Sequence, residues 1–476
     1  MSTMADLVRE IEASPSGSHV GAFFDLDRTL IAGFSVLTFV MDGIVTGRIG
    51  ATGLGLTMLA GLRFQLGQLP FSDFVTETLA LLRGESEAAF RELGDRVFAE
   101  RLAADLYPEA RVLVAAHRRK GHTVAIVSSA TPYQTDPVAR ELGIEHVLCT
   151  RLGVADGVFT GRIAGDPCYG VGKRVAAEAL AGERGVEMAE SFFYTDSDED
   201  LPLLEAVGRP RPTNPNRGLA AEAVRRGWPQ RTFTTRGLPG PVEVVRTGLA
   251  LGSLVPSLLM GVPVAVLEGR WRAAINVAAT IWGELGTGLA GIHLNVEGEE
   301  HLWARRPAVF TFNHQSAVET LLLCRLLRRD FVAIAKQEVK SNPFFGPVFA
   351  LAGVVFIDRF NRERAIQALA PAVQALREGL SLAIAPEGTR SATGKLGAFK
   401  KGAFHLSIAA GVPIVPIVFR NTVDALPKHG IIARPSEIDV VVHPPIETGR
   451  LSVHDVDRLM AEVERLYQDT LASWSS

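Results

Sequence analysis

Cysteine is scarce. Cys149, Cys168 and Cys324 are the whole complement, they lie far apart, and no two stand in a metal-ligand spacing. That argues against a disulfide framework and points to a reducing, cytoplasmic setting. A surplus of one charge is also missing: 49 basic and 52 acidic residues give a formal net charge of −3. A nucleic-acid binder would carry a clustered basic excess, so that class is set aside. The first twenty residues hold Asp6, Arg9, Glu10 and Glu12 and no apolar run, which argues against a cleavable secretion signal. No self-similarity at a solenoid period is present.

What the chain does have is length and apolar content. Its 476 residues exceed what one ordinary core accommodates, so two or more domains are expected. With 47% hydrophobic and 21% charged residues it reads as globular. Strand signals at Val20–Leu26, Thr123–Ser128 and Ser191–Thr195 alternate with helical stretches at Ala110–Lys120 and Lys173–Ala181. That pattern predicts a parallel sheet with crossover helices and functional groups at the carboxyl ends of the strands. Residues from about Ser35 to Asp105 interrupt the alternation, look mostly helical, and read as an inserted cap.

Gly227–Val242, rich in Gly, Pro and Thr, reads as a linker. Thr247–Leu267 then runs without a charge, long enough to span a bilayer core; its Gly and Pro residues equally suit a broken helix in the membrane surface. A second apolar stretch, Ala273–Leu294, carries only Glu284. The other reading of both is a pair of buried helices. From Glu297 the alternation resumes, with strands expected at Pro307–Phe312, Phe331–Ala335, Gly353–Ile357, Leu380–Ala385 and Val412–Phe419 and helices at Glu319–Leu327 and Arg364–Glu378.

The first strand delivers Asp25-Leu26-Asp27-Arg28-Thr29. Two carboxylates two residues apart at a strand end can converge on one site, where one attacks phosphorus and the other moves protons if a cation offsets their charge. The alternative is a solvated acidic turn. Ser128 ends an apolar strand and can meet a phosphoryl oxygen, while Lys173 follows a glycine-rich loop and can neutralise phosphate. Thr195-Asp196-Ser197-Asp198-Glu199-Asp200 ends another strand; so acidic a cluster needs a divalent cation or full solvation. In this order and spacing the four segments resemble the haloacid dehalogenase superfamily of aspartate phosphatases, in the small-capped subclass IB that includes the phosphoserine phosphatases. The resemblance covers residues 18–235 and implies a Rossmann-like fold. It implies Asp25 as nucleophile, Asp27 as general acid/base, and Ser128 and Lys173 as phosphate ligands. It also implies Mg²⁺ on Asp25, Asp196 and the Asp27 main-chain carbonyl, with Asp200 in support. Phosphoserine phosphatases carry a glutamate about nine residues past the nucleophile for the substrate ammonium; Phe34 stands there, which speaks against phosphoserine and suits a substrate with a hydrocarbon part.

The second candidate site starts at Asn313-His314-Gln315-Ser316-Ala317-Val318-Glu319. A histidine held by a carboxylate can remove a hydroxyl proton. Ser316-x-x-Glu319 ahead of an apolar run is also a capping box, so Glu319 has two readings. Arg359 ends an apolar strand and can grip phosphate. In Pro386-Glu387-Gly388-Thr389-Arg390, the glycine admits close backbone approach, Thr389 and Arg390 can bind phosphate, and Glu387 can orient them. Together these segments resemble the glycerolipid acyltransferases that include the lysophosphatidic acid acyltransferases, over about residues 250–460. The resemblance implies His314 as base on an acceptor hydroxyl that attacks an acyl thioester. It implies Arg359, Thr389 and Arg390 on the acceptor phosphate, joined by Lys336. The family has aspartate five residues after the histidine; here it is Glu319.

The expectation is therefore an α/β fusion: a phosphatase unit at 18–235 with its cap at about 35–105, a connection at 236–246, membrane-associated helices at 247–294, and an acyltransferase unit at 295–476. Its expected partners are lysophosphatidic and phosphatidic acid and acyl-CoA or acyl carrier protein, with a homo-oligomer left open. The active sites are expected at the cytoplasmic face of a membrane. The rival reading keeps the acyltransferase and makes the first unit a non-catalytic regulatory module.

Overall fold

The computed structural model describes residues 4–46, 82–237, 239–341, 345–357, 369–391, 393–428 and 430–474. The chain divides into two compact units, the first ending at residue 238 and the second beginning at Pro239.

In the first unit the strands are β1 (Gly21–Phe24), β2 (Thr123–Ser128), β3 (His146–Cys149), β4 (Leu152–Ala155), β5 (Val158–Ile163), β6 (Phe192–Thr195) and β7 (Arg209–Pro212). Five of them form a sheet in the order β3-β2-β1-β6-β7, every pair parallel. β1, β2 and β6 are buried throughout, as strands covered on both faces by helices are. Phe24 stacks on Tyr194 across β1 and β6 with ring centroids 4.5 Å apart. The chain runs from β1 outward to β2 and β3, then crosses back to β6 and β7. The boundary between β1 and β6 is thus the topological switch point, where such sheets hold ligands beyond their strand ends.

The cap contributes helices Ser35–Val45 and Glu87–Glu100 and a short turn of helix at Leu102–Asp105; the cap residues between 47 and 81 lie outside the described residues. The antiparallel hairpin β4-β5 has no counterpart in the sequence reading. It packs Phe159 edge-on against Phe90 and Tyr133. The linker reading of Gly227–Val242 is corrected at both ends. Residues 231–236 pack on the first unit: Arg231 N–H donates to the Pro212 carbonyl, Phe233 is buried, and Arg236 Nε donates to the Ala104 carbonyl. From Pro241 the chain is helical, so residues 241–246 of the expected connection form a first helical turn and more, with proline at its start and Glu243 favourably placed for the helix dipole.

The second unit opens with helices Pro241–Gly252, Leu254–Glu268 and Trp271–Ala290. The uncharged run Thr247–Leu267 is divided at Ser253. Gly261 lets the second helix lie against the third, since a Cβ there would stand 2.4 Å from the Ala274 carbonyl oxygen. The stretch Ala273–Leu294 is not one element: Gly291, at φ 75°, ends the helix, and Ile292 begins an edge strand. The strands are β8 (Ile292–Glu297), β9 (Val309–Phe312), β10 (Phe331–Lys336), β11 (Val355–Ile357), β12 (Ser381–Ile384), β13 (Ile414–Phe419) and β14 (Ser436–Val442). They form one sheet, β11-β10-β12-β9-β13-β14-β8, in which only β13 and β14 pair antiparallel. β9, β12 and β13 occupy its middle, and their carboxyl ends converge.

Candidate active sites

The Asp25–Leu30 loop leaves β1 in a tight turn. Leu30 and Ile31 N–H groups return to the Leu26 carbonyl, and Arg28 sits in the left-handed region at φ 57°. Asn214 holds this turn through Nδ2, which donates to the Arg28 carbonyl at 2.6 Å, while its Oδ1 accepts from Phe233 N–H at 2.6 Å. Asp25 is buried, and Lys173 Nζ lies between its carboxylate (2.9 Å) and that of Asp200 (2.8 Å). Thr195 Oγ1 donates to the same Asp200 oxygen at 2.5 Å. Asp196 is paired with Arg28 at 3.2 Å. Asp27 accepts the Ser35 N–H at 2.7 Å, where the first cap helix begins. Phe34, beside that contact, is 48% exposed. Ser128 is buried at the end of β2, next to β1 in the sheet.

Burial pushes the Asp25 carboxyl up to about 6 even with Lys173 opposing it, and pushes Asp196 up to about 8. Asp27 is raised for the same reason. Burial works against the charge on Lys173, but Asp200 and Asp25 together hold it above the usual lysine range. Among the described residues no three acidic or imidazole side chains converge as a preformed cage. The donor chemistry nevertheless fits a divalent cation: Asp25, Asp27, Asp196 and Asp200 outnumber the cations Lys173 and Arg28, and the excess negative charge is buried. The sequence reading missed Arg28, Asn214 and Thr195. Thr213-Asn214-Pro215-Asn216 reads only as a turn, and its link to the first loop spans 186 residues.

In the second unit, Asn313 ties β9 to β13 by exchanging two hydrogen bonds with the Phe419 main chain, at 2.7 and 2.8 Å. His314 follows. Its Nδ1 lies 2.5 Å from Glu319 Oε2. Glu319 is fully buried, and its Oε1 accepts from Gln315 N–H (2.8 Å), Ser316 N–H (2.9 Å) and Thr422 Oγ1 (2.8 Å). The contacts that the two readings of Glu319 call for, to the imidazole and to the Ser316 N–H, are both present, one oxygen making each. Ser316 does not complete the capping box: its hydroxyl donates to the Leu426 carbonyl and accepts the Val318 N–H at 3.2 Å, not that of Glu319. Glu387 accepts the His314 N–H at 2.7 Å and the Gly397 N–H at 2.6 Å, and burial raises its carboxyl to about 7. Ser391 N–H returns to the His314 carbonyl at 2.7 Å, so the loop after β12 clasps the histidine backbone on both sides. Gly388 has φ 72°, a conformation that favours glycine.

Arg390 is half-buried and has no ion pair among the described residues; burial lowers its pKa, with Glu319 opposing. Thr389, beside it, is exposed. Lys336 ends β10, and Arg359 lies outside the described residues. Thr422 and Gln315 were missed. Thr422 lies 103 residues from Glu319, and Gln315 Oε1 accepts the same hydroxyl at 3.1 Å.

A haloacid dehalogenase-like hydrolase family model matches residues 22–205, and an acyltransferase family model matches residues 293–420. The chain is 34% identical over 220 residues to a probable phosphatase of Mycobacterium tuberculosis, covering 46% of this chain and 76% of the relative. It is 32% identical over 244 residues to a phosphoserine phosphatase of the same bacterium, covering 49% and 79%. It is also 34% identical over 225 residues to a 1-acyl-sn-glycerol-3-phosphate acyltransferase of Limnanthes alba, covering 47% and 77%. Buried carboxylates at one switch point and a histidine–carboxylate pair beyond a second sheet accord with these matches: the chain belongs to the haloacid dehalogenase-like hydrolases through its first unit and to the acyltransferases through its second.

Proposed function

We propose that the second unit moves an acyl chain from acyl-CoA or acyl carrier protein to 1-acylglycerol 3-phosphate, giving phosphatidic acid. The observation that carries this reading is the His314–Glu319 pair. Glu319 accepts at Nδ1, which fixes the tautomer and leaves Nε2, without a hydrogen bond among the described residues, as the base. His314 Nε2 takes the proton of the acceptor hydroxyl while its oxygen attacks the thioester carbonyl. The carbon–sulfur bond breaks, and the imidazolium returns the proton to the departing thiolate. Arg390 and Thr389, with Lys336 and Arg359, bind the acceptor phosphate; a half-buried guanidinium without an ion pair among the described residues supports that role. Glu387 holds the His314 backbone in place.

The first unit is read as a Mg²⁺-dependent phosphate monoester hydrolase acting on a lipid phosphate. Asp25 attacks phosphorus, the alcohol departs with a proton from Asp27, and water then cleaves the aspartyl phosphate while Asp27 takes a proton from it. Ser128 and Lys173 hold the phosphoryl oxygens. Asp25, Asp196 and the Asp27 carbonyl, with Asp200 in support, would hold Mg²⁺, which supplies positive charge at the phosphoryl group. Apart from the connection at 236–246, the domain limits read from the sequence remain part of this proposal. Membrane association does too: Pro241–Glu268 is long and apolar enough to cross a membrane, and Leu259, Met260, Val266 and Leu267 on it are exposed. The active sites are placed on the cytoplasmic side.

The test incubates purified protein with acyl-CoA and lysophosphatidic acid, with and without Mg²⁺, and identifies the lipids. Phosphatidic acid should form in both cases, and dephosphorylated lipid only with Mg²⁺. Absence of acyl transfer would overturn the first reading; absence of any Mg²⁺-dependent phosphate release would favour a regulatory role for the first unit.

A further inference from the structure

The loop after β12 does not end at Arg390. Residues Gly394–Lys400 fold back over Pro386–Gly388 as a strap fixed at three points. Gln315 Nε2 donates to the Gly394 carbonyl at 3.0 Å, Gly397 N–H to Glu387 at 2.6 Å, and Lys400 N–H to the Pro386 carbonyl at 2.8 Å. The last bond sets the Lys400 side chain across Gly388. A Cβ on that glycine would stand 3.0 Å from Lys400 Nζ and 3.2 Å from its Cε and Cδ. The ammonium therefore lies on the turn whose next residues are Thr389 and Arg390. Lys401 turns elsewhere and pairs with Asp457 at 2.6 Å.

The nearby carboxylates are held by groups other than these cations. Both oxygens of Glu387 are engaged by main-chain N–H groups, and both of Glu319 by His314, Thr422 and two N–H groups. Lys400, like Arg390, has no ion pair among the described residues. Two cations on one glycine turn, neither ion-paired with the carboxylates alongside among the described residues, form a cradle for an external anion.

We propose that Lys400 is a ligand of the acceptor phosphate and sets the enzyme's preference for phosphorylated over phosphate-free acceptors. This rests on the acyltransferase reading above. Arg390 supplies the forked planar contact and Lys400 a point charge delivered by the strap.

The experiment compares Lys400→Gln, Lys400→Arg and Lys401→Gln in the full chain, with lysophosphatidic acid and monoacylglycerol as acceptors and inorganic phosphate as competitor. Losing one charge-assisted contact should raise the lysophosphatidic acid KM by about 10- to 100-fold in Lys400→Gln. The kcat, the acyl-donor KM and the turnover of monoacylglycerol should stay close to wild type, and retained kcat shows the variant is folded. Lys400→Arg should recover most of the affinity, and Lys401→Gln should match wild type. Weaker competition by inorganic phosphate in Lys400→Gln would show that the site reads the phosphate itself; unchanged competition would assign the contact to another part of the lipid and overturn the proposal. So would a lysophosphatidic acid KM within twofold of wild type, an equal loss on both acceptors, or a loss confined to the acyl donor. Should the glutamine variant not fold, Lys400→Met, which keeps the stem, carries the same test. Wild-type protein that forms no phosphatidic acid would strike instead at the acyltransferase reading.

Discussion

Glu319 shows how one added methylene changes the work a carboxylate can do. From the start of its own helix it receives two main-chain N–H groups on one oxygen and reaches His314 with the other. The sequence made capping and catalysis look like competitors, because a linear pattern does not reveal that the two oxygens face different groups. Glu319→Gln separates the two duties. The amide oxygen can still accept the main-chain N–H groups, but the amide nitrogen would donate to Nδ1 and force the hydrogen onto Nε2, which then cannot accept a proton. Acyl transfer should fall by about 10³- to 10⁴-fold, by analogy with tautomer reversal in serine-protease triads, with the unfolding midpoint nearly unchanged. A silent substitution would reduce Glu319 to a cap. Glu319→Asp should keep activity within about tenfold, since the charge survives and only reach is lost. Thr422 is the positioning residue of this pair. Thr422→Val removes one donor from Glu319 at constant shape, and kcat should drop about tenfold with KM unchanged, recovering in Thr422→Ser. A KM change of similar size would indicate general loosening of the site.

Elements were legible where periodicity and burial agreed. β1, β2, β6, β9, β12 and β13 are short, apolar and buried on both faces, and the sequence reading found each of them within a few residues. β8 and β14 escaped it. β8 is an edge strand whose exposed positions carry His293, Asn295 and Glu297, so it merged with the apolar helix before it. The supposed linker failed for a similar reason: proline and glycine mark turns without saying whether those turns pack. One buried polar chain, invisible in sequence, sets a pH dependence. His122 Nε2 donates to the Pro15 carbonyl at 2.8 Å; in its neutral form its Nδ1 then accepts from His117 Nδ1 at 2.8 Å, and His117 Nε2 accepts from Tyr194 at 2.9 Å. Burial holds His117 well below 6.5 and His122 below it, and Arg209, Lys120 and His19 add to the effect. Below pH 6.5 the unfolded chain binds protons that the native unit refuses. The stabilisation is complete above pH 6.5 and is lost as pH falls from there towards the native pKa. Asp25 and Asp196, raised by burial, contribute in the opposite direction over the same range, so the histidine effect is read as a difference: pulse proteolysis in urea, following fragments from residues 1–238, should show the stability advantage of wild type over His117→Gln shrinking from pH 7.5 to 5.5. A pH-independent difference would contradict this. The helical run Pro241–Glu268 makes a different demand. Intact protein should sediment with membranes and be released by detergent but only partly by high salt, whereas full recovery in the soluble fraction without detergent would count against it.

At the scale of the whole chain, two enzymes share one polypeptide, each built on its own compact unit. The chemistries also differ in what they require. The first site concentrates buried carboxylates, which a divalent cation would offset; the second meets its carboxylates with its own histidine and main-chain donors. Chelation should therefore divide the activities. EDTA should abolish phosphate release and leave acyl transfer within about twofold of its starting rate. Point substitution should make the same division. Asp25→Asn removes the attacking carboxylate and should end phosphatase turnover while acyl transfer continues; His314→Ala should do the reverse. Mixing the two variants should then restore both activities in one tube, with one difference from wild type. If the phosphatase draws on lipid made or held by the acyltransferase, dephosphorylated product should appear after a lag in the mixture, because the lipid must first travel between molecules, and with little lag in the intact chain. Lipid time courses at low protein concentration measure that lag. Equal lags would mean that the fusion does not shorten the path between the sites, and loss of both activities from either single substitution in a folded protein would mean that the sites are not independent.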